Sequence, residues 1–144
     1  MEPSRTATDV VRSFYAAHEA GDFATRQNLL APEFEFIPLD GTLVHGRQGL
    51  LRALDDMADQ FRTYDVRASE FVTVDEATVV VALTRSALTH RGDVPVTDRF
   101  AQLFQLRDGL IVRVQSFRTV DDALESVNPA PGGSPGRREP RRRA

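Results

Sequence analysis

The sequence predicts an α+β fold in which helices come first and an antiparallel sheet follows. Up to about residue 64 the apolar positions recur mostly at three- and four-residue spacing, which is typical of amphipathic helices. Beyond that point, long β-branched or alternating runs are separated by turns of two or three residues. These turns are too short for the crossovers that parallel strands need. We therefore expect the helices to cover one face of a curved sheet.

The first two helices are predicted from an apolar stripe and from signals at the helix ends. Residues from about Thr6 to Ala20 form the first helix, and Gly21 is positioned as its C-terminal stop. Asp22 is a suitable N-cap for a second, shorter helix that runs to about Leu30. The inward stripe of the first helix comprises Val10, Val11, Phe14 and His18.

A short strand, a turn and a third helix are predicted next. Residues 33–37 alternate as a strand before a turn at residues 38–41, and residues 43–45 can return beside that strand. A third helix from Arg47 to Tyr64 is predicted by one apolar stripe, made of Leu50, Leu54, Met57 and Phe61.

The remaining part of the domain is predicted to be strand. The turns between the strands contain Asp75-Glu76, Arg91-Gly92-Asp93 and Asp108-Gly109. Such short connections make the four strands an antiparallel meander. These strands are Val66 to Val74, Thr78 to Thr89, Val94 to Leu106 and Leu110 to Thr119.

Composition excludes several classes of site and partner. The chain contains no cysteine, which excludes disulfides, thiolate zinc sites and cysteine nucleophiles. The histidines, at positions 18, 45 and 90, have no metal-ligand spacing, so we expect neither a metal nor a cofactor. No apolar run approaches the roughly 18 residues of a spanning helix, and no secretion signal begins the chain, so we expect a cytoplasmic protein without membrane contact.

Charge is distributed unevenly between a domain and a tail. Residues 128–144, rich in Pro, Gly and Arg, carry five arginines and one glutamate, and we expect them to form a disordered, solvated tail or one that touches an acidic surface. Residues 1–127 form a single predicted domain with 13 arginines against 20 acidic residues. This acidic domain has no basic surface for nucleic acid.

Three motifs in this order resemble those of the nuclear transport factor 2-like superfamily, and within it the SnoaL-like and ketosteroid isomerase-like proteins. They are FYAAHEAGD at residues 14–22, GRQGL at residues 46–50 and FQLRDGLI at residues 104–111. The resemblance covers about residues 6–126. It implies a cone-shaped curved sheet wrapped around the N-terminal helices, an apolar pocket inside it and a homodimer.

The resemblance does not by itself imply one reaction, because the fold hosts cyclases, isomerases, dehydratases, epoxide hydrolases and non-catalytic proteins. The three ketosteroid isomerase groups, a base, a tyrosine and a protonated aspartic acid, are replaced here by Ile37, Phe14 and a position near Gln102. Of the Asp-Arg-Asp set of limonene epoxide hydrolases, Arg85 alone remains, with Ala87 and Ser116 in the aspartate places.

Three residues are candidates for catalysis, each with an alternative. His18 can act as an acid or base near neutral pH, or be a core histidine with one satisfied hydrogen bond. Asp98 can be a base raised in pKa by apolar walls, or an exposed carboxylate at a strand end. Arg85 can stabilise an oxyanion or bind a ligand carboxylate, or form an ion pair with Asp98 across neighbouring strands.

The strand register chooses the expected ligand-binding residues, because alternate residues face opposite sides of a sheet. Asp40 is either a turn residue or a carboxylate at the pocket rim. Tyr15 is expected at a helix interface with its hydroxyl in water. On the last strand the resemblance sets the register, which implies that Val112, Val114 and Ser116 face inward. The ligand-binding set is Phe14, Asp40, Phe100, Gln102, Phe104, Val114 and Ser116.

These features predict a cofactor-independent cyclase or isomerase that acts on a polyketide-like, apolar, oxygenated small molecule of secondary metabolism. The reaction is proton transfer next to a carbonyl, with His18 or Asp98 as the base and Arg85 at the oxyanion. A non-catalytic ligand-binding or dimerisation module is the alternative. A protein interaction domain that uses the sheet face is a third.

Overall fold

The computed structural model describes residues 6–127, within which there are four helices and six strands. The predicted disordered tail, residues 128–144, lies outside the described residues. In chain order the elements are α1 (Ala7–Ala20), α2 (Phe23–Asn28), β1 (Leu30–Ile37), β2 (Val44–His45), α3 (Gly46–Gln60), β3 (Phe61–Asp75), β4 (Thr78–Thr89), β5 (Pro95–Arg107), β6 (Leu110–Phe117) and α4 (Val120–Val127).

The predicted residues Gly21 and Asp22 end α1 and start α2, whereas the cap at the start of α1 was not predicted. Thr6 and Asp9 form a capping box at the start of α1, each side chain accepting a hydrogen bond from the other residue's backbone N–H. Gly21 ends α1 with a φ of 73°, a left-handed conformation that glycine adopts without a steric penalty. The Asp22 side chain then accepts from the Thr25 backbone N–H and starts α2.

The predicted helix up to Tyr64 is too long, because the chain joins the sheet at Phe61. Phe61 pairs with Thr89 and Tyr64 pairs with Ala87, so the backbone hydrogen bonds of residues 61–64 go to β4. Aromatic side chains suit a pleated surface, and the pairing outweighs the helical spacing that placed Phe61 in the stripe. Two other members of that stripe, Leu54 and Met57, lie outside the described side chains.

The sequence prediction missed α4. The Thr119 hydroxyl accepts a hydrogen bond from the Asp122 N–H at 3.0 Å, an N-cap that stops β6 from continuing. Apolar residues at helical spacing then pack α4 against the sheet, with Ala123 fully buried. The pattern was present in the sequence but fell at the end of a long run of strands.

The six strands form one sheet in the order β2-β1-β6-β5-β4-β3. The meander from β3 to β6 is antiparallel, as predicted. The pairing of β1 with β6 is parallel, which corrects the expectation of a wholly antiparallel sheet. Parallel pairing is possible here because the whole of the chain between β1 and β6 serves as the crossover connection. Strand β1 also begins earlier than the predicted residue 33: its first residue is Leu30, which pairs with Ile111.

Alternation along the strands separates two hydrophobic cores. On β4, Val79, Val81 and Leu83 belong to the inner core, which α1 covers, whereas Val80 belongs to an outer core under α4. The inward face of β4 was therefore predicted correctly.

A bulge in β6 reverses one predicted orientation. Gln105 pairs with Arg113 but Leu106 pairs with Ile111, so Val112 is the extra residue between them. Ile111, and not Val112, joins Val114 in the inner core.

No helix within residues 6–127 is both long enough and apolar enough to cross a membrane.

Replacing Leu83 by alanine should lower the free energy of unfolding by about 2–5 kcal/mol, since Leu83 is 1% exposed and its loss leaves a cavity in the inner core. Urea unfolding followed by circular dichroism measures the change. Leu51→Ala is the matched control, because Leu51 is 42% exposed and its loss should change stability by less than about 0.5 kcal/mol. Equal losses in the two variants would contradict the assignment of Leu83 to the core.

Candidate functional site

A cavity of about 460 Å³ lies between the inner face of the sheet and the helices α1, α2 and α3. All seven residues expected to bind a ligand border it, and so do His18 and Arg85. Asp98 does not border it. Apart from that of Asp98, the placements agree with the predicted register, and the roles of these residues stay predictions.

Aromatic rings form much of the apolar wall. Phe14 contacts both Tyr15 and Phe104 edge to face, with ring centroids 5.3 and 5.6 Å apart. Tyr15 also meets Phe104 in this way, at 5.6 Å. Such edge-to-face contacts hold the rings in place, so this part of the cavity is preformed.

A chain of hydrogen bonds crosses the cavity from α1 to β6. The Tyr15 hydroxyl donates to Gln102 Oε1, and Gln102 Nε2 donates to Ser116 Oγ at 3.3 Å. Burial raises the pKa of Tyr15 well above its ordinary value, so the hydroxyl stays protonated and can donate. Because Ser116 Oγ accepts from Gln102, its own O–H hydrogen can be given to a ligand.

The expectation for Tyr15 was therefore wrong. Its side chain is only 4% exposed, and its hydroxyl is bonded inside the cavity rather than wetted at a helix interface. The spacing of Val11, Tyr15 and His18, four and then three residues apart, is a second helical stripe beside the predicted one and could have identified it.

His18 and Arg26 form a polar pair at the α1–α2 end of the cavity. Arg26 Nη1 lies 2.9 Å from His18 Nδ1. Arginine can only donate, so Nδ1 accepts and the proton of the neutral imidazole is on Nε2. Burial, and then the Arg26 charge, lower the pKa of His18, while Asp65 and Glu19 oppose that shift. His18 is thus a neutral hydrogen-bond donor, and its basic nitrogen is covered.

Arg26 is a site residue that the sequence prediction overlooked. It is 5% exposed and borders the cavity, with its guanidinium 4.8 Å from the Phe23 ring centroid. Nothing in the spacing of a six-residue helix identifies a buried arginine, and the contact with His18 spans two helices.

Arg85 and Asp98 form the ion pair that was considered as the alternative to catalysis. The two residues are directly opposite each other on β4 and β5. Arg85 Nε donates to Asp98 Oδ1 at 2.8 Å, and Nη2 donates to Oδ2. Hydrogen bonding to Asp98 is the main reason why the pKa of Arg85 is raised. The charges of both groups are therefore balanced by one another.

Asp40 fits both of the interpretations that the sequence left open. Its Oδ1 accepts the Thr42 N–H at 2.9 Å, which makes it a turn residue, and it also borders the cavity mouth. The hydrogen bonds from Thr42 lower the pKa of its exposed carboxyl group, so Asp40 is ionised at neutral pH.

No three His, Asp or Glu side chains among the described residues converge in a way that could hold a metal ion.

Comparison with known proteins agrees with this architecture. The family model of the SnoaL-like domain matches residues 11–114. No curated protein resembles the chain closely enough to count as a match.

Solved structures of similar fold align with this chain over nearly all of their own length. An NTF2-like protein of unknown function from Burkholderia pseudomallei K96243 is 17% identical over 87% of this chain and 99% of its own, with a TM-score of 0.71. TerC, co-crystallised with polyporic acid, is 19% identical over 83% and 95%, with a TM-score of 0.70. A presumed polyketide cyclase from Pseudomonas putida KT2440 is 21% identical over 85% and 98%, with a TM-score of 0.66.

The match to the family model extends from the middle of α1 into β6 and thus includes most of the residues that border the cavity. These solved structures share the fold of this chain. The chain belongs to the SnoaL-like domain family.

Proposed function

We propose that this chain binds a small, largely apolar, oxygenated molecule of polyketide type and catalyses proton transfer next to one of its carbonyl groups without a cofactor. The observation that carries the proposal is the cavity, which has the size of a small-molecule site and an aromatic wall with a few convergent polar groups. The polyketide cyclase name of one structural neighbour and the co-crystallisation of another with polyporic acid support this class of ligand.

Asp40 is the best placed base, because it is the one carboxylate that borders the cavity in the part of the chain that the structure describes. It takes a proton from the carbon next to the carbonyl, and the electrons of the broken C–H bond pass to the carbonyl oxygen. The resulting enolate receives hydrogen bonds from the Ser116 hydroxyl and the Gln102 amide. If a C=C bond of the substrate is conjugated with the enolate, returning the proton to the far carbon of that bond isomerises the substrate.

Cyclisation needs one further step from the same enolate. Its carbon attacks a second carbonyl of the substrate, a C–C bond forms, and the protonated Asp40 returns its proton to the new alkoxide. His18 serves as a neutral donor in this scheme and not as the base, since Arg26 covers its basic nitrogen. Atoms and charges balance without any co-reactant.

A binding module without turnover is the second candidate. The low pKa of Asp40 and its exposure to water favour it, because a weakly basic, solvated carboxylate is a poor base. The homodimer also stays a prediction, as the structure comprises one chain.

A thermal-shift screen tests the binding part of the proposal. Aromatic polyketides, steroids and other enolisable apolar compounds should raise the melting temperature, because a ligand that binds only the folded chain stabilises it. Sugars and nucleotides serve as polar controls and should leave it unchanged. Absence of a shift across the whole apolar panel would count against a ligand cavity.

Asp40→Asn should reduce turnover of a screened substrate about a hundredfold or more while leaving its binding intact, since asparagine keeps the turn acceptor but is not a base. Asp75→Asn is the matched control, because Asp75 Oδ1 accepts the Ala77 N–H in the same kind of turn away from the cavity. Steady-state kinetics distinguish the two. Turnover that survives Asp40→Asn would reject Asp40 as the base, and wild-type binding without turnover would favour the binding module.

His18 should titrate below its ordinary pKa of 6.5 in the folded chain. The unfolded chain then binds more protons just below pH 6.5, so His18 makes the folded state more stable as the pH rises through that window. NMR of the imidazole ring measures the titration. Arg26→Gln should raise the pKa, because it removes a positive charge, and a wild-type pKa of 6.5 or above would contradict the arrangement.

A further inference from the structure

Arg26 is the one buried arginine of residues 6–127, and no carboxylate within those residues lies in ion-pair distance of it. Its Nη1 donates to His18, but Nε is buried without an acceptor and no described residue accepts from Nη2. A buried charge is costly unless it is paired. The missing acceptor is therefore a feature that needs a physical reason.

The other arginines show that this chain readily provides partners. Four described arginines form ion pairs with acids, and each of their side chains is at least 25% exposed. Arg26 is more deeply buried than any of them, and desolvation lowers its pKa. Among the described residues, the partners of its charge are a neutral imidazole and the Phe23 ring. An arginine that served only to stabilise the fold would be expected to pair with a carboxylate if it were buried this deeply.

The Nε–Nη2 edge of Arg26 has the donor pattern that binds a carboxylate. Arg85 holds both oxygens of Asp98 through Nε and Nη2, and the same two nitrogens of Arg26 have no acceptor among the described residues. This edge of a guanidinium matches the spacing of a single carboxylate. His18 adds a further donor, Nε2–H, at the same end of the cavity, and the imidazole is neutral, so the pair carries one positive charge.

We propose that the cavity ligand carries a carboxylate, which the Nε–Nη2 edge of Arg26 binds with His18 as an additional donor, while its apolar body lies against the aromatic wall. This inference rests on the proposed function and adds the chemical class of the ligand. Nε is buried, so a neighbouring side chain has to move before a carboxylate reaches it.

Two probes of equal shape separate charge from apolar fit. They are 2-naphthoate, an aromatic carboxylate, and 2-acetylnaphthalene, the methyl ketone of the same ring system. Titration calorimetry at pH 7.5 and low salt should show the carboxylate binding the wild-type chain about tenfold to a hundredfold more tightly, as expected for one charge-assisted contact.

Arg26→Gln should abolish this preference and leave the affinity for the ketone unchanged. The matched control is the double variant Arg85→Gln/Asp98→Asn, which replaces a balanced ion pair at the cavity by two neutral amides and should keep the preference. Equal affinities for the two probes in the wild-type chain, or a preference that persists in Arg26→Gln, would overturn the carboxylate inference while leaving the cavity as a ligand site.

A measurement on the wild-type chain keeps the test decisive if Arg26→Gln does not fold. The ¹⁵N signal of the Arg26 Nε–H should shift when 2-naphthoate is added and stay in place with the ketone. An unmoved signal at saturating 2-naphthoate would reject Arg26 as the binding group. If neither probe binds, the proposed function and the carboxylate inference are both rejected.

Discussion

The structure depends on the strict alternation of side chains across one sheet, above all along β4. This strand is paired on both sides, and residues 78–81 are buried on both faces. One face belongs to the inner core and the cavity, and the other belongs to the core beneath α4. A shift of one residue would exchange Val80 with Val81 and turn Arg85 away from the cavity. The cavity therefore exists only in one register.

The sequence predicted the parts of the fold that rest on local patterns. The helix stop at Gly21, the cap at Asp22, the order of the elements and the inward apolar residues of β4 and β5 all follow from spacing and turn chemistry. The parallel pairing of β1 with β6 and the bulge at Val112 could not be predicted in this way, because they arise from contacts between distant segments.

The same distinction applies to the candidate site. Strand register, set on β6 by the family resemblance, predicted that Gln102, Phe104 and Ser116 border the cavity, but it could not predict which polar groups bond to one another. The Tyr15–Gln102–Ser116 chain and the His18–Arg26 pair each join separate elements. These partnerships decide the chemistry. His18 was predicted as a possible base, but because its Nδ1 accepts a hydrogen bond from Arg26, the neutral imidazole can only donate, through Nε2.

The parallel contact between β1 and β6 has a consequence for the order of folding. The Ile111 N–H donates to the Leu29 carbonyl at 2.8 Å, so the segment after α2 is completed by a strand that begins some 80 residues later in the chain. During synthesis the N-terminal third must wait, with its apolar stripe uncovered, until nearly the whole domain has left the ribosome. Non-local closure of this kind slows folding, and it makes the intact last strand a condition for having a cavity at all.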